Sequence, residues 1–195
     1  MKILDNINHT VREDLQDTMQ KGSRVSIAAA CFSIYAYQEL KKQLEEIAEL
    51  RFIFTSPTFV QENTPKERRE FYIPKLTREK SLYGTEFEVR LRNELTQKAL
   101  AKECADWVRR KVKFRSNVSG EQMPGFMTVG ESSYMPISGF TTVDLGCERG
   151  NNAYYPVQRT EAFENGRYFL SLFDEIWNDS SRLQDVTDIV LQSIS

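Results

Sequence analysis

The chain has 195 residues, of which 40% are hydrophobic and 28% are charged, and its net charge is −2. This composition is typical of a soluble globular domain that can bury a core, and no apolar run is long enough to span a bilayer. Three dispersed cysteines and a single histidine argue against a disulfide framework and exclude a zinc site built from several histidines. We therefore expect a cytoplasmic protein with no membrane partner.

The charges are unevenly distributed along the chain. Residues 64–115 carry fifteen Lys and Arg against eight Asp and Glu, whereas residues 116–195 carry four against eleven. This asymmetry indicates either a surface for an anionic partner or two regions that contact each other. The alternative is that both surfaces are simply solvated.

The first third of the chain predicts a βαβ unit. A helix is expected over Thr10–Gln20, with Thr10 as its cap, followed by a buried strand in RVSIAAACF. Helical spacing returns over Tyr35–Glu49, and LRFIFTS is a second buried strand. The two strands should be parallel and joined by a right-handed crossover.

The middle of the chain begins with a long connection. Residues 57–84 contain three prolines and dense mixed charge, with a short strand expected at EFYI. Thr85 and Glu88 form a capping box that opens a long helix reaching Arg110. KVKFRS then alternates as a strand with one solvated face.

The remaining residues predict short strands and two closing helices. Strands are expected in GFMTV, SYMPI and GFTTVDL, followed by a polar loop over 146–153. Helices are expected over 166–179 and 180–195, and the second ends without a C-cap signal, so we expect the natural chain to continue. We divide the chain into an α/β domain, residues 1–160, and a C-terminal helical segment, residues 161–195.

Few residues have the spacing of known catalytic sites. His9 is the sole histidine, and the sequence has neither a P-loop nor a G-x-G-x-x-G motif. Asp144 and Glu148 flank a predicted strand end, where they would ligate a divalent metal or act as acid and base. A solvated turn is the simpler interpretation, and Asn151 and Asn152 are typical turn formers.

A basic segment is the strongest candidate for partner binding. It joins the end of the long helix to the KVKFRS strand, where alternate cations would share one face and meet successive phosphates. The alternative is helix-end charge beside a solvated strand. The candidate nucleic-acid-binding residues are Arg109, Arg110, Lys111, Lys113 and Arg115.

Several longer stretches resemble a known family. GSRVSIAAACFSIYAYQELKKQL followed by LRFIFTS resembles the opening of phospholipase D-like domains. YGTEFEVRLRNELTQKALAKECADWVRRKV and GFTTVDLGCERGNN are similar to the N-terminal region of bacterial Swi/Snf-like helicases, in which such a domain precedes an ATP-dependent motor. The resemblance implies an α/β fold with a mixed β-sheet and helices packed on both faces, the C-terminal helices being truncated.

The family's catalytic motif is missing from this chain. Phospholipase D-type catalysis needs His-x-Lys-x4-Asp, in which the histidine attacks phosphorus and the lysine holds the phosphate oxygens. Residues 120–148, where the resemblance places this motif, contain no His, Lys or Arg. We therefore expect a non-catalytic domain with no metal and a vestigial cleft. The cleft residues are Thr141, Thr142, Asp144, Glu148, Asn151 and Asn152.

Three functions remain open from the sequence. The first is an accessory domain of a helicase or translocase that contacts DNA through the basic segment. The second is a protein-interaction or homodimerisation module, and the third is a residual metal-dependent nuclease that uses Asp144 or Glu148. The resemblance assigns ATP and Mg²⁺ to the following helicase domain of the parent protein, and no cofactor to this chain.

Overall fold

A computed structural model describes residues 1–56 and 86–194 as one eight-stranded sheet with helices on both faces. The strands are β1 Lys2–Leu4, β2 Arg24–Ala29, β3 Glu49–Phe54, β4 Val112–Asn117, β5 Phe126–Val129, β6 Ser132–Met135, β7 Val157–Thr160 and β8 Leu183–Asp185. The helices are α1 Val11–Thr18, α2 Ile34–Glu39, α3 Lys41–Leu44, α4 Glu86–Lys111, α5 Gly166–Trp177 and α6 Thr187–Ile194.

The sheet is mixed, and its direction changes at β2. The strand order is β1-β7-β6-β5-β2-β3-β4-β8. Strands β2, β3 and β4 run parallel to one another, whereas β5 is antiparallel to β2. The predicted βαβ unit and the α/β class with a mixed sheet are therefore confirmed.

Local sequence explains the first elements of this unit. The amide of Glu13 donates to the hydroxyl oxygen of Thr10 at 3.1 Å, so Thr10 caps α1 as predicted. Val11 and Leu15 share the buried side of α1. All residues of β2 after Arg24 are buried, as expected for a continuous apolar run that is covered on both faces.

Two cores lie on opposite faces of the sheet. The larger one contains an aromatic cluster of Phe32, Phe52, Phe54 and Phe114, and residues of α1, α2, α4 and α6 pack around it. The smaller core lies beneath α5 and is formed by Ala28, Ile53, Phe126, Phe173, Trp177 and Leu183. The placement of helices on both faces is thus confirmed.

Among the elements before residue 146, three predictions are wrong. The helix expected over Tyr35–Glu49 is split at Leu40 into α2 and α3, and it ends at Leu44. GFTTVDL is a series of turns with one isolated bridge at Phe140, because local hydrogen bonds replace a strand ladder. Lys111 ends α4 instead of beginning the next strand, so it does not share a strand face with the other cations.

The closing residues join the same sheet. The helix predicted from residue 180 begins at Thr187, and β8 precedes it and pairs antiparallel with β4. The predicted helix over 166–179 is confirmed as α5, and the long helix ending near Arg110 is confirmed as α4. The EFYI strand, the whole connection over 57–84 and the Thr85 cap lie outside the described residues. Within the described ranges, no helix is both long and apolar enough to cross a membrane.

Candidate functional site

The carboxyl ends of the parallel strands form the edge where α/β folds most often bind ligands. The loop that follows β6 returns to this edge beside the end of β2. Ala30 donates to the carbonyl of Ser138 at 2.9 Å, Phe140 donates to that of Cys31 at 2.8 Å, and Ser33 donates to that of Phe140 at 2.9 Å. The loop that carries the predicted cleft residues therefore starts at this edge.

Asp144 is buried at this edge and is part of a capping box. Its Oδ2 accepts hydrogen bonds from the amide and the hydroxyl of Thr141, at 3.0 and 2.6 Å. Its Oδ1 accepts from the hydroxyl of Tyr155 at 2.5 Å. Burial raises the pKa of Asp144 above its ordinary value, and the donors from Thr141 and Tyr155 oppose that rise. Both carboxylate oxygens therefore serve the loop's own structure.

The other cleft candidates do not converge on Asp144. The Thr142 hydroxyl donates to Oε1 of Glu148 at 3.1 Å, which forms a second, separate contact. Asn151 and Asn152 are exposed, and the amide of Asn152 closes a turn on the carbonyl of Arg149 at 3.2 Å. No group of three or more potential metal ligands occurs in the described part of the chain. The arrangement gives no support to the residual-nuclease hypothesis.

Asn117, the last residue of β4, anchors the loops that follow β3 and β4 at this end of the sheet. Its Nδ2 donates to the carbonyls of Thr55 and Glu121, at 2.9 and 2.7 Å. Its Oδ1 accepts from the amide and hydroxyl of Ser119, at 2.9 and 2.6 Å. Asn117 is fully buried, and these bonds use its whole hydrogen-bonding capacity. Like Asp144, it serves as a structural anchor.

The cations at the end of α4 already have partners within the domain. Arg109 pairs with Asp106 at 3.0 Å, and Arg110 pairs with Glu45 at 2.7 Å. Lys111 donates to the backbone carbonyl of Glu45 and to a second carbonyl at 2.7 Å. Lys111 is thus a brace between α4 and the turn before β3, whereas Arg109 and Arg110 remain about half exposed.

The two cations of β4 lie on the face of the sheet that α5 partly covers. The guanidinium of Arg115 lies 4.1 Å from the centre of the Trp177 ring and donates to the Trp177 carbonyl at 2.5 Å. Arg51 is the neighbour of Lys113 on β3, and it pairs with Asp174 at 2.8 Å. Lys113 is exposed, and no ion pair is found for it among the described residues.

A buried ionic network, which the sequence analysis did not identify, joins α1 to strands β1, β6 and β7. Arg159 donates to both oxygens of Asp14, at 2.7 and 2.9 Å. Tyr134 donates to the same carboxylate at 2.7 Å, and Lys2 does so at 3.1 Å. Burial alone would raise the pKa of Asp14, but these donors outweigh it and hold the pKa below its ordinary value.

One sequence signal for this network was available. Asp14 stands three residues after Val11 and immediately before Leu15, so it occupies the apolar side of α1. A charged residue on a buried stripe requires a partner. Its partner Arg159 is far away in the sequence, and the helical pattern alone does not identify it.

Comparison with known proteins adds no family assignment: the chain matches no protein-family model and no curated protein sequence. The function is therefore inferred from the sequence resemblance, the fold and the contacts of the candidate residues.

Proposed function

We propose that the chain is a non-catalytic accessory domain of an ATP-dependent DNA helicase or translocase, and that it contacts DNA through cations at the end of α4 and along β4, namely Arg109, Arg110, Lys113 and Arg115. The proposal rests on the sequence resemblance to phospholipase D-like domains of Swi/Snf-like helicases and on the mixed α/β sheet. We also propose that the mixed sheet has the phospholipase D-like fold.

The observation that carries the non-catalytic assignment is the state of Asp144. Its two oxygens accept three hydrogen bonds from Thr141 and Tyr155, and its side chain is buried. A general acid or base must reach a proton of the substrate, and a metal ligand must reach the ion. The buried carboxylate of Asp144 instead holds Thr141 and Tyr155 of its own loop, which supports a structural role.

The DNA-contact assignment depends on how the cations are paired. The ion pairs of Arg109 and Arg110 are about half exposed, and such pairs contribute only ~0–1 kcal/mol in water. A phosphate can therefore replace the carboxylate at little cost, and it releases counterions when it does so. Lys113 is exposed on the face of the sheet that α5 partly covers, whereas Lys111 is committed to backbone carbonyls. We expect Lys113, Arg109 and Arg110 to make the principal phosphate contacts.

A salt titration of DNA binding tests this assignment. Affinity for a fluorescent duplex or single strand should fall steeply with salt, by a logarithmic slope of about 0.9 per duplex phosphate contacted. The double variant Arg109→Glu, Lys113→Glu should bind about tenfold more weakly and show a smaller slope. As a control, Arg167→Glu reverses the charge of an exposed arginine that pairs with Glu131. This variant should bind DNA like the parent. No detectable binding at low salt would refute DNA contact.

The proposal places ATP and Mg²⁺ in a following motor domain of the parent protein, with which this domain would share a chain. This assignment comes from the resemblance alone, because the sequence has no P-loop. The parent reading frame beyond Ser195 should encode G-x-x-x-x-G-K-[ST] and helicase motifs. A parent protein without them would contradict the helicase setting and leave the DNA-binding experiment unaffected.

A protein-interaction or homodimerisation module is the second candidate. Strand β1 is an edge strand of the sheet in the described residues, and its Ile3 side chain is 56% exposed. Phe163 is 87% exposed in the turn that follows β7, the neighbour of β1. An exposed edge strand with apolar neighbours is a surface on which chains pair.

Sedimentation analysis distinguishes this second candidate. A dimer formed through β1 should dissociate in Ile3→Lys and persist in Ile189→Lys, which places the same change on exposed α6. A chain that is monomeric at high concentration would exclude self-association as its function.

A further inference from the structure

Three cations from neighbouring strands lie on one face of the sheet. Arg24, Arg51 and Lys113 stand on β2, β3 and β4 in turn, and Arg51 is the direct neighbour of Lys113 in the strand pairing. Arg51 also pairs with Ser26, and Arg24 shares the face of Ser26 because side chains alternate along a strand. Adjacent strands are about 4.8 Å apart, so long side chains from all three strands reach one region of this face. We call these three cations the sheet-face site.

Two of these cations are open to an outside partner. The Arg24 side chain is 78% exposed, and its partner Glu49 lies 3.8 Å away, which is beyond hydrogen-bond distance. Lys113 is exposed, and its ammonium makes no hydrogen bond or ion pair with residues 1–56 or 86–194. An anion that binds either of them therefore displaces no strong contact.

Arg51 is a fixed centre for the site. One of its nitrogens, Nη2, donates to the Ser26 hydroxyl at 3.0 Å and to Oδ1 of Asp174 at 2.8 Å. The guanidinium also lies 4.9 Å from the centre of the Phe173 ring. Its Nε and Nη1 make no hydrogen bond in the described part of the chain, and neither nitrogen is fully buried. Arg51 is thus held in place and keeps donors for a second anion, which lowers the entropy cost of binding that anion.

The surroundings favour a phosphate backbone over a base as the ligand. Bases stack on exposed aromatic rings, and the two rings that Arg51 contacts, Phe173 and Trp177, are buried. Phosphates need only positive charge and N–H donors, which these strands supply. Asp174 is the carboxylate that competes with a phosphate for Arg51, and its side chain is 48% exposed. A half-exposed carboxylate holds a guanidinium weakly in water.

We propose that Arg24, Arg51 and Lys113 together bind successive phosphates of a nucleic-acid strand, and that Asp174 competes with those phosphates for Arg51. The inference rests on the proposed DNA contact and extends it from α4 and β4 onto β2 and β3. It also specifies the ligand, because a strand held by its backbone without base stacking is bound with little regard to its sequence.

The site is tested by titrating a short single-stranded DNA into the ¹⁵N-labelled full chain. Backbone signals of residues 24–26, 51 and 113 should shift, and an abasic strand of the same length should shift them at a similar concentration because it keeps the phosphates. Arg24→Gln should weaken binding about threefold. Arg167→Gln removes the same charge from an exposed arginine outside the site, and it should leave binding unchanged.

A gain of affinity is expected when the competing carboxylate is removed. Asp174→Asn frees Arg51 from its ion pair and should strengthen binding about threefold. Glu175→Gln removes the same charge from the next position of α5, which is exposed, and it should have a clearly smaller effect. Equal gains in the two variants would contradict the role given to Arg51. The substituted side chains are exposed or half-exposed, so the variants should fold, and a circular dichroism spectrum verifies this.

The remaining outcomes separate this inference from the proposed function. DNA binding that is unchanged in both Arg24→Gln and Asp174→Asn would overturn the sheet-face site and leave the proposed DNA contact intact, whereas no DNA binding at low salt would refute both. Shifts with the intact strand and none with the abasic strand would show that bases are the ligand. Shifts at a lower concentration of inorganic pyrophosphate than of the strand would assign the site to a small phosphate compound.

Discussion

The hydroxyl of Tyr155 donates to Oδ1 of Asp144 at 2.5 Å, and the same oxygen of Tyr155 accepts from the amide of Ser138 at 2.9 Å. One phenol group thus joins two segments of the loop between β6 and β7. Asp144, which the sequence offers as a candidate catalytic acid, therefore stabilises the structure of this loop.

Removal of this hydroxyl should destabilise the fold. Tyr155→Phe leaves a buried carboxylate with one donor fewer, and hydrogen bonds to charged groups contribute about 1.5–3 kcal/mol. We expect a loss of about 2 kcal/mol in the free energy of unfolding, measured by urea denaturation. The matched control is Tyr154→Phe at the adjacent exposed position, which should change the free energy by less than about 0.5 kcal/mol. Equal effects of the two variants would contradict the assigned role of Tyr155.

The Arg159–Asp14 pair should be far more important than a surface ion pair. Arg159→Ala leaves the buried Asp14 carboxylate with Tyr134 and partly exposed Lys2 as its donors. Removal of one partner from a buried pair costs about 3–5 kcal/mol. Arg167→Ala breaks the exposed pair with Glu131 and should cost less than about 1 kcal/mol. Thermal and denaturant unfolding of the two variants will measure this contrast.

The same network should give a defined pH dependence. The folded-state pKa of Asp14 is lowered, so the unfolded chain binds its proton first as the pH falls. The stability contributed by Asp14 is complete above its ordinary pKa of 3.8 and is lost as the pH falls through the lower folded-state value. The difference in unfolding free energy between the parent and Asp14→Asn should therefore shrink below about pH 4. A pH-independent difference would argue against the network.

Trp177 should be the main support of α5. Trp177 is 7% exposed, and its ring stacks on that of Phe173 with ring centres 5.9 Å apart. The Arg115 guanidinium also lies over the Trp177 ring. Truncation of a buried tryptophan costs about 3–5 kcal/mol, and Trp177→Ala should fall in this range. Phe163→Ala removes an aromatic ring that is 87% exposed and should be nearly neutral for unfolding. A large loss for Phe163→Ala would instead show that this ring is buried in a dimer.

The sequence was most informative where apolar runs were long. β2, β3, α4 and α5 were predicted from such runs, because burial on two faces or along one helical stripe leaves a clear pattern. β1, β7 and β8 have only three or four residues, too few for a periodic signal. GFTTVDL has the composition of a strand, but Thr141 and Asp144 have capping-box spacing, and the local bonds prevailed over β propensity.

The identities of the candidate DNA-contact residues could be predicted from the sequence, but their partners within the domain could not. The five cations could be identified from the sequence, whereas the contacts of Arg110 with Glu45 and of Arg115 with Trp177 join segments more than sixty residues apart. Only the packing of α4 and α5 against the sheet brings these groups together. The sequence indicated where positive charge is concentrated, and the structure indicates that Lys113 is the cation most available to an outside partner.

The two outermost strands of the sheet, β1 and β8, come from opposite ends of the described chain. During synthesis on the ribosome, β4 therefore emerges long before the β8 segment that shields its outer edge. Until then its unpaired backbone groups are open to other strands, which is a known route to aggregation. Nascent chains stalled before residue 183 should accordingly depend on chaperones much more strongly than the finished polypeptide does.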